Sequence, residues 1–269
     1  MTDNDRGQVA ATAAEVYEEF FLPALFDQWP EQVLDAAEAG RGDRVLDIGC
    51  GTGVLARAAQ RRAGEVGQVV GLDPNEGMLA VARHADPSIQ WEMGVAENIP
   101  HDEGSFERVV SQFALMFFVD RDAAVAEMAR VLARRGTAAI ATWASLEETP
   151  GYAAMVSLLG RLFGEQAARA LEAPYVLGDP QELHGLLSSA FPDVDVTRHE
   201  GVARFDSIDA WVHTDIRGWT LANQMDDDQF ELLLREAREE LHRFTDAEGR
   251  VSFPAPALIA TARLSGSGS

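Results

Sequence analysis

A chain of 269 residues with 46% apolar and 25% charged side chains has the size and composition of a large folded domain with room for a substantial core. Its 44 acidic residues face 22 basic ones, all arginine, and the net charge of −22 opposes nucleic acid and anionic membranes as partners. The single cysteine, Cys50, rules out an intramolecular disulfide and argues against a cysteine-built zinc site, so no metal is expected. With no apolar run long enough to cross a bilayer, and a polar, acidic start unlike a secretion signal, the expected setting is cytoplasmic, without membrane insertion.

In chain order, residues 8–38 show helical spacing, with an apolar stripe of Tyr17, Phe20, Phe21, Leu25 and Phe26 that Pro23 and Pro30 divide. Strands are predicted at 44–48, 68–73, 89–93, 106–111 and 137–143, and helices at 54–62 and 76–84. Asp120 is placed to cap a further helix that runs to residue 135 and stops at Gly136. Beyond residue 145 the rhythm changes to helices at 151–172 and at 180–190, the second capped by Asp179. Strands follow at 194–205 and 251–263, with Pro254 and Pro256 marking an edge or bulge in the last one. A helical insertion, 207–245, lies between them, and SGSGS at 265–269 reads as a flexible tail.

This alternation predicts an α/β fold, Rossmann-like and doubly wound, with a mainly parallel seven-stranded sheet and helical inserts forming a cap. Residues 1–42 form an N-terminal helical segment, 43–145 a ligand-binding core, and 146–264 the rest of the sheet. Two lid inserts, about 146–175 and 207–245, belong to that last part.

The chemistry starts at VLDIGCGTG, residues 45–53. Gly49, Gly51 and Gly53 are spaced G-x-G-x-G after a strand, whereas a dinucleotide fold uses G-x-G-x-x-G around a pyrophosphate. Asp47 at the mouth of this loop repels a diphosphate and suits an ammonium or sulfonium centre. Asp73 ends the second strand 20 residues after Gly53, the place of an acid that accepts both hydroxyls of a ribose. A nucleoside with a cationic amino-acid tail and no phosphates meets these demands, and S-adenosylmethionine fits that description.

Around this loop the chain resembles the class I S-adenosylmethionine-dependent methyltransferases, in the group that includes the ubiquinone and menaquinone biosynthesis enzymes. The likeness covers roughly residues 43–145. VLDIGCGTG is similar to the family's first motif and GLDPNEGMLAVAR to its second, while GVAENIPHDEGSFERVVSQFALMFFVD resembles the third and fourth. MARVLARRGTAAIATW resembles the helix, turn and strand that follow. The resemblance implies S-adenosylmethionine as cofactor, with Asp73 on the ribose and Pro74 and Met78 near the adenine. Where many relatives carry an acid for the adenine amino group, this chain has Val95, which leaves that role to the Ala96 backbone and Glu97. Cys50 is expected to line the site through its backbone, and Ser111 and Gln112 to meet cofactor or acceptor at the end of the fourth strand. Tyr17 and Phe21 sit on a leading helix that folds over the methionine end in this family or, alternatively, simply packs on the sheet.

On the acceptor side, Phe21, Trp143, Tyr152, His213 and Trp219 are the pocket candidates, and His213 is the one candidate base. Trp211, Asp215 and Trp219 share a helical face, which helix packing also explains. The reaction implied is in-line methyl transfer to a small organic acceptor at oxygen, nitrogen or carbon, driven by alignment and exclusion of water. A non-catalytic S-adenosylmethionine-binding protein and an NAD(P)-dependent oxidoreductase are the alternatives.

Overall fold

The computed structural model describes residues 14, 17–217 and 225–264. Trp219 and the tail at 265–269 therefore lie outside the described residues. Five parallel strands form first: β1 (Arg44–Ile48), β2 (Gln68–Asp73), β3 (Gln90–Met93), β4 (Phe106–Gln112) and β5 (Leu132–Trp143). With β6 (Asp193–His199) and β9 (Ala257–Arg263) they make a seven-stranded sheet of order β3-β2-β1-β4-β5-β9-β6, in which β9 alone runs antiparallel to its neighbours. Stretches such as VVGLD and AAIAT are buried along nearly their whole length, as expected for strands covered on both faces.

The helices start where the sequence supplies caps. Asn75 accepts hydrogen bonds from Gly77 N and Met78 N to open α4 (Glu76–Ala85), and Asp120 accepts from Ala123 N to open α5 (Arg121–Val131). The other helices are α1 (Tyr17–Phe26), α2 (Pro30–Ala36), α3 (Val54–Ala63), α6 (Pro150–Phe163), α7 (Glu165–Glu172), α8 (Pro180–Leu187), α9 (Ile208–Arg217) and α10 (Asp227–Glu240). In α1 the turns are wide, with Asp27 N bonding Leu22 O at 3.0 Å, five residues back. That wider winding is compatible with Pro23 inside the helix, at a position that has no N–H to donate.

Four boundaries differ from expectation. Helix α5 ends at Val131, because Leu132 already pairs with Phe106 in the sheet and is buried there. The expected helix at 151–172 divides into α6 and α7 at Gly164, whose φ of 89° breaks the spiral. The long strands at 194–205 and 251–263 each divide as well, into β6 and β7 (Val202–Phe205) and into β8 (Val251–Pro254) and β9. Both breaks fall at one level, where Ala255 N bonds Gly201 O. A Cβ on Gly201 would stand 2.2 Å from the Trp29 ring, so the chain can cross there only as glycine. Strands β7 and β8 pair with each other, and the Phe205–Val251 register closes the base of the 207–245 insertion.

Trp29 anchors this corner. It is fully buried, with ring centroids 5.7 Å from Phe113 and 6.1 Å from Trp143. Trp29→Ala is expected to cost about 3–5 kcal/mol, read as a fall in the urea midpoint at unchanged slope.

Candidate active site

The strand order reverses between β1 and β4, and there, at the carboxyl edge of the sheet, a cleft opens. It encloses about 890 Å³, its open mouth included. The glycine loop forms one wall: Gly49, Gly51 and Gly53 all have positive φ, at 69°, 54° and 90°. A Cβ on Gly49 would lie 2.4 Å from that of Ala114, whereas one on Gly51 would meet nothing within 4 Å, since Gly51 borders the open space.

Two carboxyls frame this loop. Asp73 accepts hydrogen bonds from Gly51 N (2.9 Å) and Asn75 N (2.8 Å), which tie the loop to the end of β2, and burial raises its pKa. Asp47 is almost wholly buried, and desolvation lifts its pKa to about 8 against the pull of the Ala56 amide. Among the described residues, Asp47 Oδ2, Thr52 Oγ1 and Gln112 Oε1 have no hydrogen-bond partner, and all three residues line the cleft. A carboxyl oxygen and an amide oxygen left to accept, with one hydroxyl beside them, suit an ammonium better than a phosphate. Val54, Leu55, Met78, Phe117 and Phe118 supply apolar walls.

A second cavity, of about 490 Å³, adjoins the first, and Tyr17, Phe113 and Phe117 line both. Its walls are Phe21 and Phe26 from α1, Trp143 from the end of β5, Tyr152 from α6, and Tyr175 from the turn after α7. Phe113 takes a left-handed φ of 55°, a conformation costly for an aromatic residue. That turn lays its ring flat on Trp143, with centroids 3.9 Å apart and planes 13° from parallel. One carboxyl enters this aromatic chamber, Asp215 of α9. It is 1% exposed, and Tyr152 Oη donates to its Oδ1 over 3.1 Å. Burial raises its pKa to about 8, while the Tyr152 hydroxyl and the nearby Trp211 indole pull it back part of the way.

The structure thus brings Tyr17, Asp47, Gly49, Cys50, Gly51, Asp73, Pro74, Met78 and Gln112 together around the first cavity, and Phe21, Trp143 and Tyr152 around the second. It places four expected cofactor residues elsewhere. Gly53 begins α3 with its Cα turned to the Trp91 ring, and Ser111 Oγ bonds Ile48 O to join β4 to β1. Glu97 accepts from Val119 N and Asp120 N, and Ala96 is buried outside the cleft. His213 is also displaced from its expected role: it is exposed, between the rings of Phe20 and Phe230, and lines neither cavity. Thr52, Asn75, Phe113 and Asp215 line the cavities without having been expected there. Only Asp215 had a visible signal, an acid on the same helical face as Trp211.

Residues 46–140 match a family model described as a methyltransferase domain. The demethylmenaquinone methyltransferase of Staphylococcus epidermidis is 31% identical over 188 residues, 64% of this chain and 78% of that one. The chain belongs to the class I S-adenosylmethionine-dependent methyltransferases. A 2-phytyl-1,4-naphthoquinone methyltransferase of Thermosynechococcus vestitus is 38% identical over 43% of this methyltransferase, which spans only about half (53%) of that relative's length. The YcgJ protein of Bacillus subtilis shares the fold at 20% identity, with a TM-score of 0.59 over 88% of this chain and 98% of its own.

S-adenosylmethionine is the methyl donor of this family, and the first cavity of this methyltransferase fits it. Asp73 lines that cavity at the end of β2, and the unpartnered oxygens of Asp47 and Gln112 are acceptors that an ammonium would satisfy. The open face of Gly51 leaves room for the ligand's chain to lie against the backbone. Bound there, the cofactor supplies an electrophilic methyl group on a sulfonium.

Proposed function

We propose that this chain transfers a methyl group from S-adenosylmethionine to a planar, largely apolar organic acceptor held in the aromatic chamber. The observation that carries this reading is the adjacency of the two cavities, which share Tyr17, Phe113 and Phe117 as lining. A donor in the outer cavity and a ring in the inner one meet at that shared wall, so alignment and dryness come from the same aromatic side chains. The aromatic lining of this cavity, Phe21, Phe26, Phe113, Trp143 and Tyr175 among it, suits a flat ring compound. Relatives named for naphthoquinone and menaquinone substrates, and one named a C-methyltransferase, support an acceptor of quinone type and methylation at carbon.

The test is to incubate the protein with S-adenosylmethionine and a panel of reduced quinols, phenols, amines and thiols, and to follow S-adenosylhomocysteine release. Turnover is expected with planar hydroxylated rings, and thermal stabilisation by S-adenosylmethionine but not by NAD(P). Cofactor binding with no release across the panel would make the chain a binding protein rather than an enzyme.

A further inference from the structure

We propose that Asp215, held in place by Tyr152, is the proton acceptor for the acceptor substrate, and that this substrate presents an acidic ring hydroxyl, as in a phenol or hydroquinol. The inference rests on the reading of the inner cavity as the acceptor chamber. Asp215 is a carboxyl with one oxygen committed, Oδ1 to the Tyr152 hydroxyl, and the other, Oδ2, without a partner among the described residues. A buried carboxyl oxygen left in this state carries a desolvation cost, and the nearby Trp211 indole N–H, which lowers the Asp215 pKa without completing a hydrogen bond, offsets only part of it. A hydroxyl donated by a bound ring would satisfy it.

The surroundings narrow the chemistry. The titratable groups facing Asp215 from the elements packed around the chamber are Tyr17 of α1, Tyr152 of α6 and Tyr175 of the turn after α7. All three have raised pKa values, so each remains a neutral phenol at any working pH, and the described walls hold no arginine or histidine. Among the described lining residues, Asp215 is thus the one group that can act as a base, through its ionised form, which becomes the major one above a pKa pushed up to about 8. A neutral, flat ring enters such a chamber without the desolvation cost that an ammonium would bring.

Asp215 Oδ2 takes the hydroxyl proton, and the O–H bonding pair stays on the acceptor, shared between its oxygen and the unsubstituted ring carbon ortho to it. That oxygen or carbon forms a bond to the methyl carbon as the methyl–sulfur bond breaks, its pair remaining on sulfur. The proton on Asp215 then passes to solvent, and where carbon was attacked, the ring hydrogen also leaves as a proton and the hydroxyl is restored. The net change is one methyl gained, one proton lost.

The experiment compares wild type, Asp215→Asn and Tyr152→Phe with 2-methyl-1,4-naphthalenediol, its dimethyl ether and 1-naphthylamine as probe acceptors, at saturating S-adenosylmethionine. Wild type is expected to methylate the diol with a kcat that rises with pH to a plateau near 8, and to spare the ether. Asp215→Asn is expected to lose about 100-fold or more in kcat, together with the inflexion, while its calorimetric affinity for S-adenosylmethionine stays at the wild-type level. Tyr152→Phe removes the hydrogen bond that favours the ionised carboxyl, and is expected to move the inflexion to higher pH. An Asp215→Asn enzyme with wild-type kcat or an unmoved inflexion overturns the assignment and leaves the methyltransferase reading intact, as does faster turnover of the amine than of the diol. A wild type that binds S-adenosylmethionine and methylates none of the three removes the reading itself, and the inference with it.

Discussion

Asp73→Ala is expected to weaken S-adenosylmethionine binding by about 100-fold or more, measured by titration calorimetry. The carboxylate does two things at once. It accepts from Gly51 N and Asn75 N, and so fixes the glycine loop against the end of β2 and the first turn of α4. It also lines the cleft, and on the reading proposed above its remaining lone pairs accept the ribose hydroxyls of the bound nucleoside. Charge-assisted hydrogen bonds are worth about 1.5–3 kcal/mol each, so losing two removes at least about 3 kcal/mol. The alanine variant also orphans two loop amides. Asp73→Asn keeps the shape and one acceptor oxygen, and should fall between wild type and alanine. Folding should survive in both, because Asp73 lies at the rim of the core and its pKa is already raised by burial. An alanine variant that binds with wild-type affinity would place the nucleoside somewhere else.

The outer cavity was legible because its parts are consecutive. A strand, a glycine turn and a second strand with a terminal acid occupy residues 44–73, and the parallel register sets Asp47 beside Gly71 and Asp73 within reach of the loop. Gly71 must be glycine there, since a Cβ would press on the Trp91 ring at 2.5 Å. Ser111 and Glu97 misled for a local reason: a polar group at a strand end or in a loop serves equally well to bind a ligand or to hold the backbone, and here both hold backbone. The inner cavity was harder. Its walls come from α1, β4, β5, α6, the turn after α7 and α9, and each aromatic residue reads as core until those elements converge. On α9 the sequence marks His213 as the candidate base and Asp215 only as sharing a face with Trp211. Two helical positions stand about 200° apart, so only one of the pair can share the face of Trp211. Trp211 and Asp215, four apart, are both buried, and the histidine is therefore turned outward.

The ligand-free protein is expected to lose stability as pH rises from about 5 to 8. Asp47 and Asp215 each have a pKa raised from 3.8 to about 8, so the unfolded chain releases both protons near pH 4 while the folded one retains them. Over that window the folded state binds more protons, and unfolding free energy must fall with pH. A full shift of this size corresponds to about 6 kcal/mol per group at 1.36 kcal/mol per unit, and water penetration reduces it, so about 2–5 kcal/mol in all is expected. Glu107 and Glu127, lowered by their arginine partners, act in the opposite sense but only below about pH 4.5, where they lose their charge. Urea unfolding at a series of pH values checks the slope, and Asp47→Asn and Asp215→Asn should each flatten it. Ligand binding then separates the two carboxyls. A cationic ligand beside Asp47 favours its ionised form, so S-adenosylmethionine binding near pH 7 should expel close to one proton. Calorimetry in two buffers of different ionisation heat measures that number directly. Asp47→Asn should abolish the proton release and Asp215→Asn should preserve it, because only Asp47 lines the donor's cavity. Release that persists without Asp47, or stability that climbs from pH 5 to 8, would mean that the two carboxyls are charged before any ligand arrives, and that the orphaned oxygens are not what prepares this site for a cation.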